Sequence, residues 1–140
     1  MKLSRTVAYA IHATLQLAQS KSGVPVPCSH LAAEGHMPER FLLQILRHLV
    51  THGILHSTRG VDGGYALERK PEEISLLEVI EAIDGPLSAT LPGDSDSHPR
   101  SQSERNLREA LDQVTSNSRR QLQAIKISDL LGAHSLAKMA

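Results

Sequence analysis

LLQILRHLVTHGILHSTRGVDGGYAL, residues 42–67, joins a stretch with helical period to one that reads as strand, glycine turn and strand. In the wider segment 37–52 the apolar Phe41, Leu42, Ile45, Leu46, Leu49 and Val50 share one side of a helix. Arg40, Gln44, Arg47, His48 and Thr51 fall on the other, with Leu43 at the border. Pro38 suits a first turn whose amide has no intrahelical acceptor, and Gly53 closes the helix. Residues 54–58 then read as a strand, RGVDGG as a turn and residues 65–67 as the returning strand. Asp62, Gly63 and Gly64 tolerate positive φ, and bare glycine backbone can lie against another chain or a phosphate. Arg59 stands at the entrance of the turn. The loop is not a nucleotide cradle, because it joins strand to strand with no helix after it and no Gly-Lys-Ser/Thr ending.

Upstream, residues 28–34 make a short helix ending at Gly35, so that short helix, turn and long amphipathic helix form a helix-turn-helix. Residues 21–27 (KSGVPVP) are a connection or a very short edge strand. Ser4 caps a first helix reaching about Gln19, with Ala8, Ile11, Leu15 and Ala18 expected toward the core. Downstream, Ser75 and Glu78 form a capping box for a helix through Leu76, Val79, Ile80 and Ile83 that stops at Gly85-Pro86. Residues 87–102 lose periodicity and read as a flexible loop. From about Ser103 a long helix carries Leu107, Leu111, Val114, Leu122 and Ile125 as one narrow apolar stripe. A second copy of the helix would cover that stripe in a dimer; folding back on its own domain is the other solution. Residues 127–131 (ISDLL) form a short final turn that packs back, and the tail frays from Gly132. The expected fold is mainly α, a winged helix-turn-helix with a small β-hairpin wing and a long C-terminal dimerisation helix. Its parts are the DNA-binding unit 1–86, the loop 87–102 and the helix and tail 103–140.

A chain of 140 residues holds one ordinary domain plus an appended element. Only 2% of it is aromatic, so aliphatic packing must hold the core. No apolar run approaches the ~20 residues that cross a bilayer, and the start alternates polar with apolar residues, so a cytoplasmic protein with no membrane role is expected. The single cysteine, Cys28, can form no internal disulfide and no multi-thiolate metal site. The net charge of zero conceals an asymmetry: residues 1–70 hold eight Lys/Arg against four Asp/Glu, and residues 71–140 seven against eleven. Double-stranded DNA, an anionic partner, would meet the first half.

The 42–67 string, with MKLSRTVAYAIHATLQLA before it and ISLLEVIEAIDGPL after it, resembles the Rrf-two (Rrf2) family of bacterial transcription regulators. The likeness runs from Met1 to about Leu87 and resumes loosely in the terminal helices. Its most specific part is the Leu-x-x-Gly-hydrophobic segment ending at Ile54 and Leu55, then Ser57, Arg59-Gly60 and Gly63-Gly64-Tyr65. The resemblance implies a homodimeric repressor or activator on a pseudo-palindromic operator, a repressor being the favoured reading, with the two copies held together by the long helix. It places Glu39, Arg40, Phe41, Leu43 and Gln44 where family members touch base edges, Gln44 suiting adenine and Arg40 guanine or phosphate. Arg47 and His48 lie on the same presumed DNA face, while Phe41 is expected to be buried. Arg59 matches the wing arginine that enters the minor groove, and Gly60 and Gly63 allow close approach. Lys2 and Arg5 are candidates for phosphate contact. Well-known sensors of the family carry three cluster-binding cysteines before the long helix. Here that loop, LSATLPGDSDSHPRSQ, has none, and Asp94, Asp96 and His98 are poor substitutes, so no iron-sulfur cluster is expected. Cluster-free members answer diverse signals, some delivered by a regulatory protein and others by a small-molecule effector.

Cys28, at a helix start that should lower its pKa, is a candidate redox switch, and otherwise a small packing residue. His48 and His52 share a helical face, yet no carboxylate or cysteine stands at matching spacing, so no metal is expected. No nucleophile motif suggests an enzyme. A winged helix kept as a protein-interaction scaffold is the competing reading, sustained by the neutral total charge.

Overall fold

Ser4 accepts the Val7 amide at 3.1 Å and so starts α1 (Arg5–Gln19). The structure, a computed structural model, describes residues 1–89 and 101–132. The face that α1 buries is Val7, Ala10, Ala13, Thr14 and Leu17. This corrects the expected stripe by one position: Ala8 is exposed, while Ile11, Leu15 and Ala18 flank the core and are half-buried. Alanines at 10 and 13 let the neighbouring helices approach closely, and the buried Thr14 hydroxyl bonds the Ala10 carbonyl at 2.7 Å.

The helix-turn-helix follows. Helix α2 (Cys28–Gly35) turns into α3 (Glu39–Thr51) through His36, the one non-glycine residue at positive φ (52°) among those described. The helix ends at Gly35 as expected, and the glycine sits close under two side chains. A Cβ there would stand 2.6 Å from the Met37 methyl and 3.0 Å from the His12 ring. Leu42, Ile45, Leu46 and Leu49 of α3 are buried together with Leu31 of α2. Each such aliphatic side chain contributes about 2 kcal/mol through removal from water, which makes α3 the centre of the core.

Gly53 (φ 75°) reverses the chain into β1 (Leu55–Thr58), which pairs antiparallel with β2 (Gly64–Leu67), Leu55 opposite Leu67 and Thr58 opposite Gly64. Val26 bridges Tyr65 with both backbone bonds, 2.9 and 2.8 Å, so the 21–27 connection lies along β2 as an isolated bridge beside the two-stranded sheet. Gly64 makes this possible, since a Cβ would fall 2.4 Å from the Val26 backbone.

A 3-10 turn (Pro71–Glu73) leads to α4 (Leu76–Asp84), opened by the expected capping box, Ser75 with Glu78. Arg69 braces it, its guanidinium 2.7 Å from the Glu78 carboxylate. Helix α5 (Gln102–Ala124) starts on the Ser101 cap, inside the stretch expected as loop. Residues 90–100 of that loop, with Asp94, Asp96 and His98, and residues 133–140 of the expected fraying tail lie outside the described residues. Leu122 packs against Val7, Leu77 and Ile80, a small second cluster. The chain beyond α5 is then sewn to the start of α4: Leu76 donates to the Ile125 carbonyl at 2.8 Å and Ile127 to the Ile74 carbonyl at 2.9 Å. Ile127, on the last 3-10 turn (Ile127–Leu130), is fully buried in the main core, as the expected packing-back requires.

Candidate nucleic-acid interface

The surface that α3 leaves to solvent carries Arg40, Gln44, Arg47, His48 and Thr51, with Leu43 half-buried at its edge. Pro38 precedes the helix with no side-chain cap, so the first amides of α3 point outward unsatisfied. Glu39 lies in that first turn, where a carboxylate also suits the positive end of the helix. Phe41 departs from its expected burial. It is 43% exposed and meets Tyr9 of α1 edge-on, ring centroids 6.0 Å apart. The core takes Leu42 and Ile45, and a large ring one position earlier reaches only the rim beside α1.

The wing stands next to this helix. Ile54 donates to the Leu49 carbonyl at 3.0 Å, which fixes the hairpin on the end of α3. Tyr65 of β2 lies within the field of both Arg47 and Cys28: burial first, then Cys28, pushes its hydroxyl pKa up, and Arg47 pulls against them. At the tip, Gly63 donates to the Gly60 carbonyl at 3.0 Å, and Gly60 holds φ 112°. A Cβ on Gly63 would stand 2.2 Å from the Thr58 carbonyl oxygen. Arg59, Gly60, Val61 and Asp62 are all exposed there.

Charge pairing separates two kinds of arginine. Arg69 and Arg119 are paired with Glu78 and Glu81. Among the described residues, Arg40 and Arg47 on α3 and Arg59 on the wing have no carboxylate partner, and neither do Arg5 on α1 or Arg105 and Arg120 on α5. Arg5 is exposed one turn before Tyr9 on the α1 face that reaches Phe41. Lys2 is not gathered with them. It lines a cavity of about 290 Å³ with Asp84 and Leu122, on the α5 side.

Cys28 departs from the expected lowered pKa. Its Sγ donates to the Glu39 carbonyl at 3.7 Å, and burial, then the Glu39 charge, push the thiol up. The His52 Nδ1 donates to the His48 carbonyl at 2.8 Å, so His52 is turned onto the backbone. Among the described residues no group of three or more His, Cys, Asp or Glu could hold a metal ion. The long-helix stripe divides: Leu122 is taken up by the chain's own domain, Leu111 and Ile125 are half-buried, and Leu107 and Val114 are 49% and 61% exposed. The exposure of Val61 and the edge contact between Tyr9 and Phe41 escaped the sequence reading. For Val61 alone a signal existed, an apolar β-branched residue inside a glycine turn.

The profile of a family described as Rrf2, iron-dependent transcriptional regulator, matches residues 3–133. A helix-turn-helix-type transcriptional regulator of Mycobacterium tuberculosis is 43% identical over 89 residues, 64% of this chain and 55% of that protein. The chain thus spans little more than half the length of that relative. The structure of CymR, the global cysteine regulator of Bacillus subtilis, superposes with a TM-score of 0.75 at 25% identity, covering 93% of this chain and 95% of that one. The IscR structure from T. potens gives 0.72 at 26% identity, covering all of this chain and 93% of its own. The described hairpin and helices are the winged helix-turn-helix of these neighbours.

Proposed function

Because the chain belongs to the Rrf2 family of transcriptional regulators, we propose that it binds a pseudo-palindromic operator as a homodimer and represses the genes behind it. The observation that carries this reading is where unpaired cations stand together with a polar helix face: Arg40 and Arg47 beside Gln44 on the open side of α3, and Arg59 on the wing fixed to its end. Arginines retained without internal partners on one continuous surface are available to phosphates and to guanine edges. The amide of Gln44 between them suits adenine. The exposed Leu107 and Val114, with Leu111, offer the apolar stripe that a second α5 would cover.

The family description names iron, and the donor set does not fit an iron-sulfur cluster. The sequence holds one thiol, and it is engaged with the Glu39 carbonyl on α3. The regulator proposed here therefore works without such a cluster, in the cytoplasm where its DNA is.

Selection of bound fragments from genomic DNA tests the reading. An inverted-repeat motif is expected, with log affinity falling linearly against log salt as phosphate contacts release counterions. Fragments with no common motif would overturn it, and salt-indifferent capture of a protein instead of DNA would establish the scaffold reading.

A further inference from the structure

Val61 is a β-branched apolar residue at the very tip of the wing, and its side chain is completely exposed. It is not there on a loose loop. Gly60 on one side holds φ 112°, Gly63 on the other admits no Cβ, and the 3.0 Å bond between them closes the tip. Its β-branch restricts χ1 even outside a helix, so it offers an apolar knob with less side-chain freedom to lose on binding than an unbranched residue. Nothing else in the described chain touches it closely enough to shield it from water.

Geometry says which surface the knob meets, on the DNA reading given above. The major groove is wide enough for a helix, and α3 presents the charged face that belongs there. The hairpin is fixed to the end of α3 through Ile54 and Leu49, and Tyr65 stands within the field of Arg47. With α3 seated in the major groove, the hairpin fixed to its end would carry the tip across the flanking phosphates toward the adjacent minor groove. Its walls are sugar C–H groups. Its floor differs between base pairs chiefly in one group, the guanine N2 amine, a donor that A·T pairs lack. An isopropyl group pressed onto that amine would strip its water and return no hydrogen bond.

We propose that Val61 is a specificity-determining residue of the wing, excluding G·C pairs from the minor-groove step beneath the tip by desolvating the guanine amine.

The test uses the full chain and an operator duplex carrying A·T, G·C or inosine·cytosine under the wing. Inosine·cytosine matches G·C in the major groove and lacks the amine in the minor groove. The expected result is equal affinity for A·T and inosine·cytosine and about tenfold weaker binding to G·C. Val61→Thr keeps the shape and adds a hydroxyl that accepts from the amine, and should bring the three affinities within about threefold of one another. Equal binding of G·C and inosine·cytosine by the unaltered protein overturns the proposal, as does a Val61→Thr variant that discriminates as before. Failure of the unaltered protein to prefer operator over scrambled duplex is a separate outcome, which overturns the DNA reading beneath it.

Discussion

Arg119 of α5 donates to the carboxylate of Glu81 on α4, 38 residues earlier in the chain. The same oxygen accepts the Leu87 amide at 2.6 Å, so one side chain ties α4, the exit from α4 and α5 together. Glu81→Ala strands an amide and a guanidinium at once. It should lower stability by about 1–2 kcal/mol in urea denaturation. Arg119→Ala should cost about half that or less, because its side chain is more than a third exposed and the ion pair is screened.

Leu122 and Leu107 belong to one stripe and answer to different partners. Leu122 is 9% exposed against Val7, Leu77 and Ile80, so Leu122→Ala should destabilise the fold by about 2–3 kcal/mol. Leu107→Asp should leave the fold's stability within about 0.5 kcal/mol while raising the dimer dissociation constant at least tenfold in sedimentation. A monomer-dimer equilibrium unmoved by Leu107→Asp would place the interface elsewhere.

Much of this was legible in advance, and the misses have physical causes. The α3 amphipathy, the glycine turn and the Ser75–Glu78 box declare themselves through period and residue type, and the structure has all three. The buried face of α1 did not, because an alanine is compatible with core and surface alike, and Ile11 drew the eye from Val7. Periodicity also lists Leu107 and Leu122 together, since it registers a shared face and carries no information about which turn of a long helix finds a partner in its own chain. The burial expected of Phe41 fails for a kindred reason: a stripe has edges, and a large ring at the edge packs sideways on Tyr9.

Gly63→Ala should disable the wing and spare the helices. Its Cβ meets backbone oxygens of Thr58 at 2.2 Å and Gly60 at 2.9 Å, neither of which can swing aside as a side chain can. A stability loss of about 1–3 kcal/mol is expected with unchanged helical circular dichroism. Operator affinity should fall in the same variant, measured by fluorescence anisotropy.

On α3, Arg47→Ala and Gln44→Ala should fail in different ways. Loss of Arg47 should weaken all duplexes alike and reduce the salt slope by about one. Loss of Gln44 should cost about 1–3 kcal/mol on the operator and relax preference at one base pair.

The raised Cys28 thiol has a sign that alkylation can read. Folding disfavours the thiolate through burial and Glu39, so this contribution to stability is present below the thiol's unfolded pKa and lost as pH rises through the folded one. Iodoacetamide near pH 8 should therefore modify the native protein more slowly than the unfolded chain. Glu39→Gln should speed the native reaction. A native rate above the unfolded one would restore the activated thiol of a redox switch.

The seam between Ile127 and Ile74 bears on how far apart two reading heads can stand. Because backbone bonds weld the far end of α5 to the head it carries, a dimer joined through α5 has no swivel between its junction and its hands. It would act as a fixed caliper, measuring the gap between half-sites along with their letters. One base pair inserted at the operator's centre turns the halves by about a tenth of a turn, and such an instrument has no slack with which to follow.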